Sequence, residues 1–164
     1  MTEYPEELLR GISCNNEQFI TPEGYPTQAV FRFDEYNPER KDGFRELSIN
    51  WVDDEGAVDL LLKQINPRNN QLQFQGGYCK IRKSSFNSMN VYFDKGHLNY
   101  ERRPCEANGA NSENKYHGNI LMKDGLSKQA IINIQVTLAG LAGEVIPREP
   151  NNPQMEESSM ESMT

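Results

Sequence analysis

Residues 25–64 read YPTQAVFRFDEYNPERKDGFRELSINWVDDEGAVDLLLKQ and hold the chain's one tryptophan and its clearest pairing of strand and helix signals. Pro26 biases Tyr25 toward extended backbone. Ala29, Phe31 and Phe33 fall on one side of the next segment, with Val30, Arg32 and Asp34 on the other, the period-two pattern of a strand. Pro38 and Gly43 supply the fixed and the positive φ of a polar turn. Leu47, Ile49 and Trp51 then alternate with Ser48, Asn50 and Val52, which predicts a return strand in antiparallel pairing. Asp53 or Asp54 can cap a following helix, whose apolar positions are Ala57, Val58, Leu60, Leu61, Leu62 and Ile65 and which Asn66-Pro67 stops. This strand–strand–helix unit is the predicted core nucleus.

Outward from it, Glu6–Gly11 reads as a turn or two of helix, and Tyr78–Arg82, Val91–Phe93, His97–Glu101 and Tyr116–Met122 as strands. His97–Glu101 is the predicted hairpin partner of Val91–Phe93. Ser84–Asn90 reads as a short helix and Arg102–Lys115 as loop. Ser127 can cap a last helix from Lys128 to Ala142, with Gly143 at its end. The predicted fold is α+β. One domain spans residues 1–146, with a mixed or antiparallel sheet packed by the central and the C-terminal helix. From Pro147 on, Pro, Asn, Glu and Ser dominate, and residues 147–164 read as a disordered acidic tail.

Of 164 residues, 36% are hydrophobic, and the mean hydropathy is -0.77, so long polar loops are expected around a modest core. The net charge is -7; the segment from Pro147 carries -3 of it and the body -4. That balance speaks against non-specific binding to nucleic acid phosphate. Cys14, Cys79 and Cys105 are widely spaced and make no metal knuckle, which fits reduced thiols and a cytoplasmic location. No secretory leader and no membrane span is expected, nor any cofactor or bound metal.

Four polar residues are the candidates for chemistry. His117, flanked by Tyr116, Gly118 and Asn119, can act as a general acid or base. A pair with His97 is the two-histidine version of that idea. Arg10, in the apolar run Leu8-Leu9-Arg10-Gly11-Ile12, can grip a phosphate or carboxylate. Thr27 and Ser48 place hydroxyls on the two strands of the predicted hairpin, where they can contact a ligand. Asp53-Asp54-Glu55 can cap a helix or ligate Mg²⁺. The nucleophile-elbow, phosphate-loop, H-E-x-x-H and C-x-x-C signatures are absent.

Arg10-Gly11-Ile12, Pro26 to Phe31, Asp42-Gly43, Leu47-Ser48-Ile49, Asn114 to His117 and Leu138 to Ala142 follow one another in the order of a pattern found in small bacterial proteins of unknown function. That pattern runs Arg-Ile, Ser-Ser-x-Ala-Phe, Leu-Ser-Val and Asn-Pro-x-His. The chain resembles this family across most of its length, with Lys115 in place of the proline and Pro26-Thr27 in place of the paired serines. The resemblance implies that Arg10, Thr27, Ser48 and His117 form one set; it carries no activity.

Two functions follow as expectations. The first is a cytosolic binding or accessory protein that meets a protein partner through a sheet edge or loops. The second is a small enzyme acting on a nucleotide or RNA phosphate, ADP-ribosyltransferase-like or nuclease-like, that uses Arg10, Ser48 and His117. A small-molecule or nucleotide ligand belongs to that reading.

Overall fold

The computed structural model describes residues 4–149. Its first element is a strand, β1 (Glu7–Ile12), and not the helical turn expected at Glu6–Gly11. Leu8, Leu9 and Ile12 are almost wholly buried. A strand buried on both faces reads as a continuous apolar run, so period-two alternation disappears. Ala29–Phe33 differs as well. Thr27 starts a 3-10 turn over Gln28–Phe31, and Val30, Phe31 and Phe33 all turn inward. The turn puts the consecutive Val30 and Phe31 inward together, which an alternating strand would not do.

β2 (Phe44–Trp51), α1 (Gly56–Lys63), the two-residue strands β3 (Ile65–Asn66) and β4 (Gln71–Leu72), and β5 (Gly77–Arg82) follow. A 3-10 stretch over Lys83–Met89 leads into α2 (Asn90–Asp94), which replaces the strand expected at Val91–Phe93. β6 (Leu98–Arg102), β7 (His117–Lys123) and α3 (Lys128–Leu141) complete the fold, with Ser127 Oγ accepting from the Ala130 N–H at the start of α3.

The domain is α+β. Its sheet has the order β5-β1-β2-β7-β6, every pair antiparallel, and β6 pairs with β7 rather than with the α2 segment. Leu8 and Ile12, Leu47, Ile49 and Trp51, Cys79 and Ile81, and Ile120 and Met122 share one face. Ile134 and Leu138 of α3, Val30, Phe31 and Phe33, and Phe86 and Met89 cover it. On the opposite face a smaller cluster joins Leu9 and Tyr78 to Ala57 and Leu61 of α1, with Phe74 and Tyr116. The rest of that face is polar. Arg40 lies there with its side chain only 4% exposed, paired to Asp42 at 2.8 Å, Glu46 at 2.5 Å and Glu101 at 2.8 Å. Burial pushes the Glu101 carboxyl up, but the hydrogen bonds from Arg40 and Asn119 outweigh it and hold it below the usual range.

At the C-terminal end, Tyr78 exchanges two backbone hydrogen bonds with Ile146, and Arg148 donates to the carbonyls of Phe74 and Leu62. The remainder of the expected tail, residues 150–164, lies outside the described residues.

Trp51 crosses β7 at Gly118, and its indole N–H donates to the Glu101 carbonyl at 3.0 Å. A Cβ at position 118 would collide with that carbonyl and with the indole. Gly118→Ala is therefore expected to cost about 1–3 kcal/mol in denaturant unfolding, with red-shifted tryptophan fluorescence as the ring is displaced.

Candidate functional site

The β6–β7 hairpin runs beyond the sheet. Arg103 N–H donates to the His117 carbonyl at 2.8 Å, Cys105 bridges Asn114, and Asn108 bridges Asn111 around Gly109, whose φ is 60°. Between the first two of these contacts Pro104 faces two residues, Lys115 and Tyr116. One extra residue on one strand is a β-bulge, and a bulge bends a hairpin. The segment expected to be loop is thus an ordered arm.

Side chains pin the arm to α1. Asn111 acts like a strand edge toward Ile65: its Oδ1 accepts from the Ile65 N–H at 2.7 Å, and its Nδ2 donates to the Ile65 carbonyl at 3.0 Å. Asn114 Nδ2 donates to Asn50 Oδ1, and Asn50 Nδ2 donates to the Ala57 carbonyl, each at 3.0 Å. Tyr116 O–H donates to Asp54 Oδ1 at 2.5 Å, and the same oxygen accepts the Gly56 N–H at 2.8 Å. The cap position is Glu55, whose side chain makes no cap hydrogen bond; Asp54, one residue earlier, takes the first helical N–H and ties the helix start to the hairpin.

The space between arm and helix is a cleft of about 360 Å³. Leu60, Lys63 and Gln64 form the helical wall; Cys105, Glu106 and Ser112 belong to the arm, and His117 lies at its base. The His117 ring meets the Arg103 carbonyl through Nδ1 at 2.7 Å. A carbonyl only accepts, so Nδ1 carries a proton, and the neutral tautomer that fits this contact has its lone pair on Nε2. Cys105 Sγ lies 3.8 Å from the same carbonyl, and burial pushes its thiol up, away from the thiolate form a nucleophile needs.

Of the residues singled out from sequence, His117 lines this cleft; Arg10, Thr27 and Ser48 do not. Arg10 lies on the main core face opposite Cys79, and its donors go to backbone: Nε to the Val30 carbonyl at 2.8 Å and Nη1 to the Ser48 carbonyl at 2.9 Å. Burial pulls its pKa down, although Cys79 and Asp34 act the other way. Thr27 Oγ1 donates to the Gln18 carbonyl at 2.6 Å. Ser48 sits opposite Asn119 in the β2–β7 pair. His97, bonded to Lys123, lies at the far end of the hairpin from His117, about 20 Å along the strand. The two histidines form no pair. Asp53 is held by both terminal nitrogens of Arg102, at 2.6 and 2.9 Å. Among the described residues no group of three His, Cys, Asp or Glu side chains could hold a metal ion, and no helix is long and apolar enough to cross a membrane.

Two measurements check these assignments. Arg10→Met leaves two inward carbonyls without donors and is expected to lower stability by about 2–4 kcal/mol in denaturant unfolding, with Arg10→Lys restoring part of it. The Asp54 carboxylate, with burial, pushes Tyr116 up to about 12. A raised tyrosine pKa means that this contribution to stability is complete below the ordinary value near 10 and is lost as pH rises through about 12. Burial also raises Tyr78, so ultraviolet titration should show more than one late phenolate, of which Tyr116→Phe removes one and Asp54→Asn shifts that same one to lower pH.

No protein-family model matches the chain, and neither a characterised protein nor a solved structure matches it.

Proposed function

We propose that the protein is a binding or accessory protein that captures an extended segment of a protein partner along β6. The observation that carries this reading is the asymmetry of the two sheet edges. The outer edge of β5 is covered, because Tyr78 pairs with Ile146 and the Lys80 carbonyl accepts from the Gly143 N–H at 3.0 Å. Among the described residues, no strand lies on the outer side of β6.

His97 and Arg103 are hydrogen-bonded to β7, so the even-numbered residues between them turn their backbone groups outward. The Tyr100 N–H is taken by Asn99 Oδ1 at 2.9 Å, which leaves the Leu98 amide and the Leu98 and Tyr100 carbonyls as the docking groups. Strand addition draws its affinity from such main-chain groups. The net charge of -7 favours a partner segment with basic side chains. The phosphate-enzyme alternative lacks comparable support, since Arg10 spends its donors on carbonyls away from the His117 cleft.

A photo-crosslinker at Asn99, exposed on β6, is expected to capture one partner reproducibly in cells. The purified complex should slow hydrogen exchange at the Leu98 amide. Equal capture from Arg82 on β5, or unchanged exchange at Leu98 in the complex, would overturn the reading.

A further inference from the structure

The cleft between α1 and the hairpin arm has a chemistry that the edge of β6 does not use. Its frame is built before any ligand arrives. Asn111 is committed to Ile65 through both ends of its amide, and Asn114 is held by Asn50 and the Tyr116 N–H. These amides are structural. The groups left for a ligand are Lys63 and Gln64 on the helix, Glu106 and Ser112 on the arm, and His117 Nε2 between them.

Charge decides the ligand class. The helical wall supplies one cation and the arm one anion. Lys63 is ion-paired at 2.8 Å to Asp59, one helical turn away, but its side chain is 70% exposed. A pair that exposed is readily exchanged for another carboxylate. Among the described residues no ion pair engages Glu106, and a carboxylate there discourages phosphate or any other dianion. No arginine lines the space, so the forked donors that phosphate recognition uses are missing. Opposite charges on facing elements, with amide, hydroxyl and imidazole groups among them, suit a small molecule that carries both an ammonium and a carboxylate. A cleft of about 360 Å³ is at the small end of ligand sites.

We propose that this cleft binds a free amino acid or a dipeptide as its zwitterion. Lys63 takes the carboxylate, Glu106 takes the ammonium, and His117 Nε2 accepts a further donor. Binding is non-covalent, since an amino acid zwitterion offers the neighbouring Cys105 no electrophile.

The test is a titration of the full chain, followed by amide and side-chain NMR, with each of the twenty L-amino acids and with glycylglycine. Inorganic phosphate and the N-acetyl amide of each ligand that binds are run in parallel. At least one zwitterion should perturb Lys63, Glu106 and His117 together. Lys63→Gln and Glu106→Gln, both surface changes on the two walls, should each raise Kd about tenfold or more. The N-acetyl amide, which has neither charge, should bind at least as weakly as the weaker variant allows. Three results would overturn the proposal: no zwitterion perturbing the cleft, affinity unchanged in both variants, or phosphate binding as tightly as the best amino acid. Crosslinking from β6 reports on a different surface and is independent of each of these results.

Discussion

The Arg10 guanidinium holds together two parts of the fold that the backbone alone leaves apart. β1 pairs with β2 only at Leu8–Trp51 and Leu9–Asn50, after which the strands separate. Even-numbered residues of β2 face the gap. Asp34 N–H fills the place beside the Glu46 carbonyl, and Arg10 fills the one beside the Ser48 carbonyl. With its Nε, Arg10 also holds the end of the 3-10 turn at Val30. That turn carries Val30 and Phe31 into the core, and Gln28 beside them reaches Gln135 of α3. An ammonium on a flexible stem is more strongly hydrated and lacks the fork that reaches two carbonyls at once. A cation without a carboxylate partner is tolerable here because its donors meet oriented carbonyl dipoles.

The opposite face follows another logic. Its polar side chains are not a solvated surface but the fastening of the hairpin. Asn50 and Asn119 are 1% exposed, and Asn114 is 8% exposed. Asn119 Nδ2 donates to Glu101 at 2.8 Å, and Glu101 in turn receives Arg40. Asn119 Oδ1 meets no hydrogen-bond partner among the described residues. A buried ion cluster of this kind is weak evidence for stability, since well-packed apolar groups often do as well. What it supplies is placement: one guanidinium, itself 4% exposed, ties Asp42, Glu46 and Glu101 of three different segments together.

Sequence legibility followed burial pattern. β2, β5, β7 and α3 were readable: Leu47, Ile49 and Trp51 alternate, and Ser127 caps α3 with its own hydroxyl. β1 was not, because Leu8 and Leu9 are buried on opposite faces and imitate a helical pair. Val91–Phe93 misled in the reverse way: three residues of high strand propensity form one turn of helix in which Val91 is 53% exposed. Of the site, His117 was visible as a lone titratable group among amides. The cleft itself was not. Its frame depends on Asn50, Asn111 and Asn114 finding backbone and side-chain partners 7, 46 and 64 residues away, and an asparagine in a polar stretch looks the same whether it fastens a wall or faces water.

The hairpin from Leu98 to Lys123 therefore carries both surfaces considered for binding, and its construction explains why they coexist. β7 is an inner strand, committed to β2 along its length, so it anchors the hairpin without contributing an edge. Among the described residues no strand pairs with the outer side of β6, and its side chains make tertiary contacts: Tyr100 packs on Tyr4, Trp51, Phe86 and Phe93, and Glu101 meets Arg40. The bulge at Lys115-Tyr116 bends the arm, and Asn111 fastens it to Ile65 of β3, just past the end of α1. The arm and the helix then face each other across a partly open cleft lined by both polar and apolar side chains.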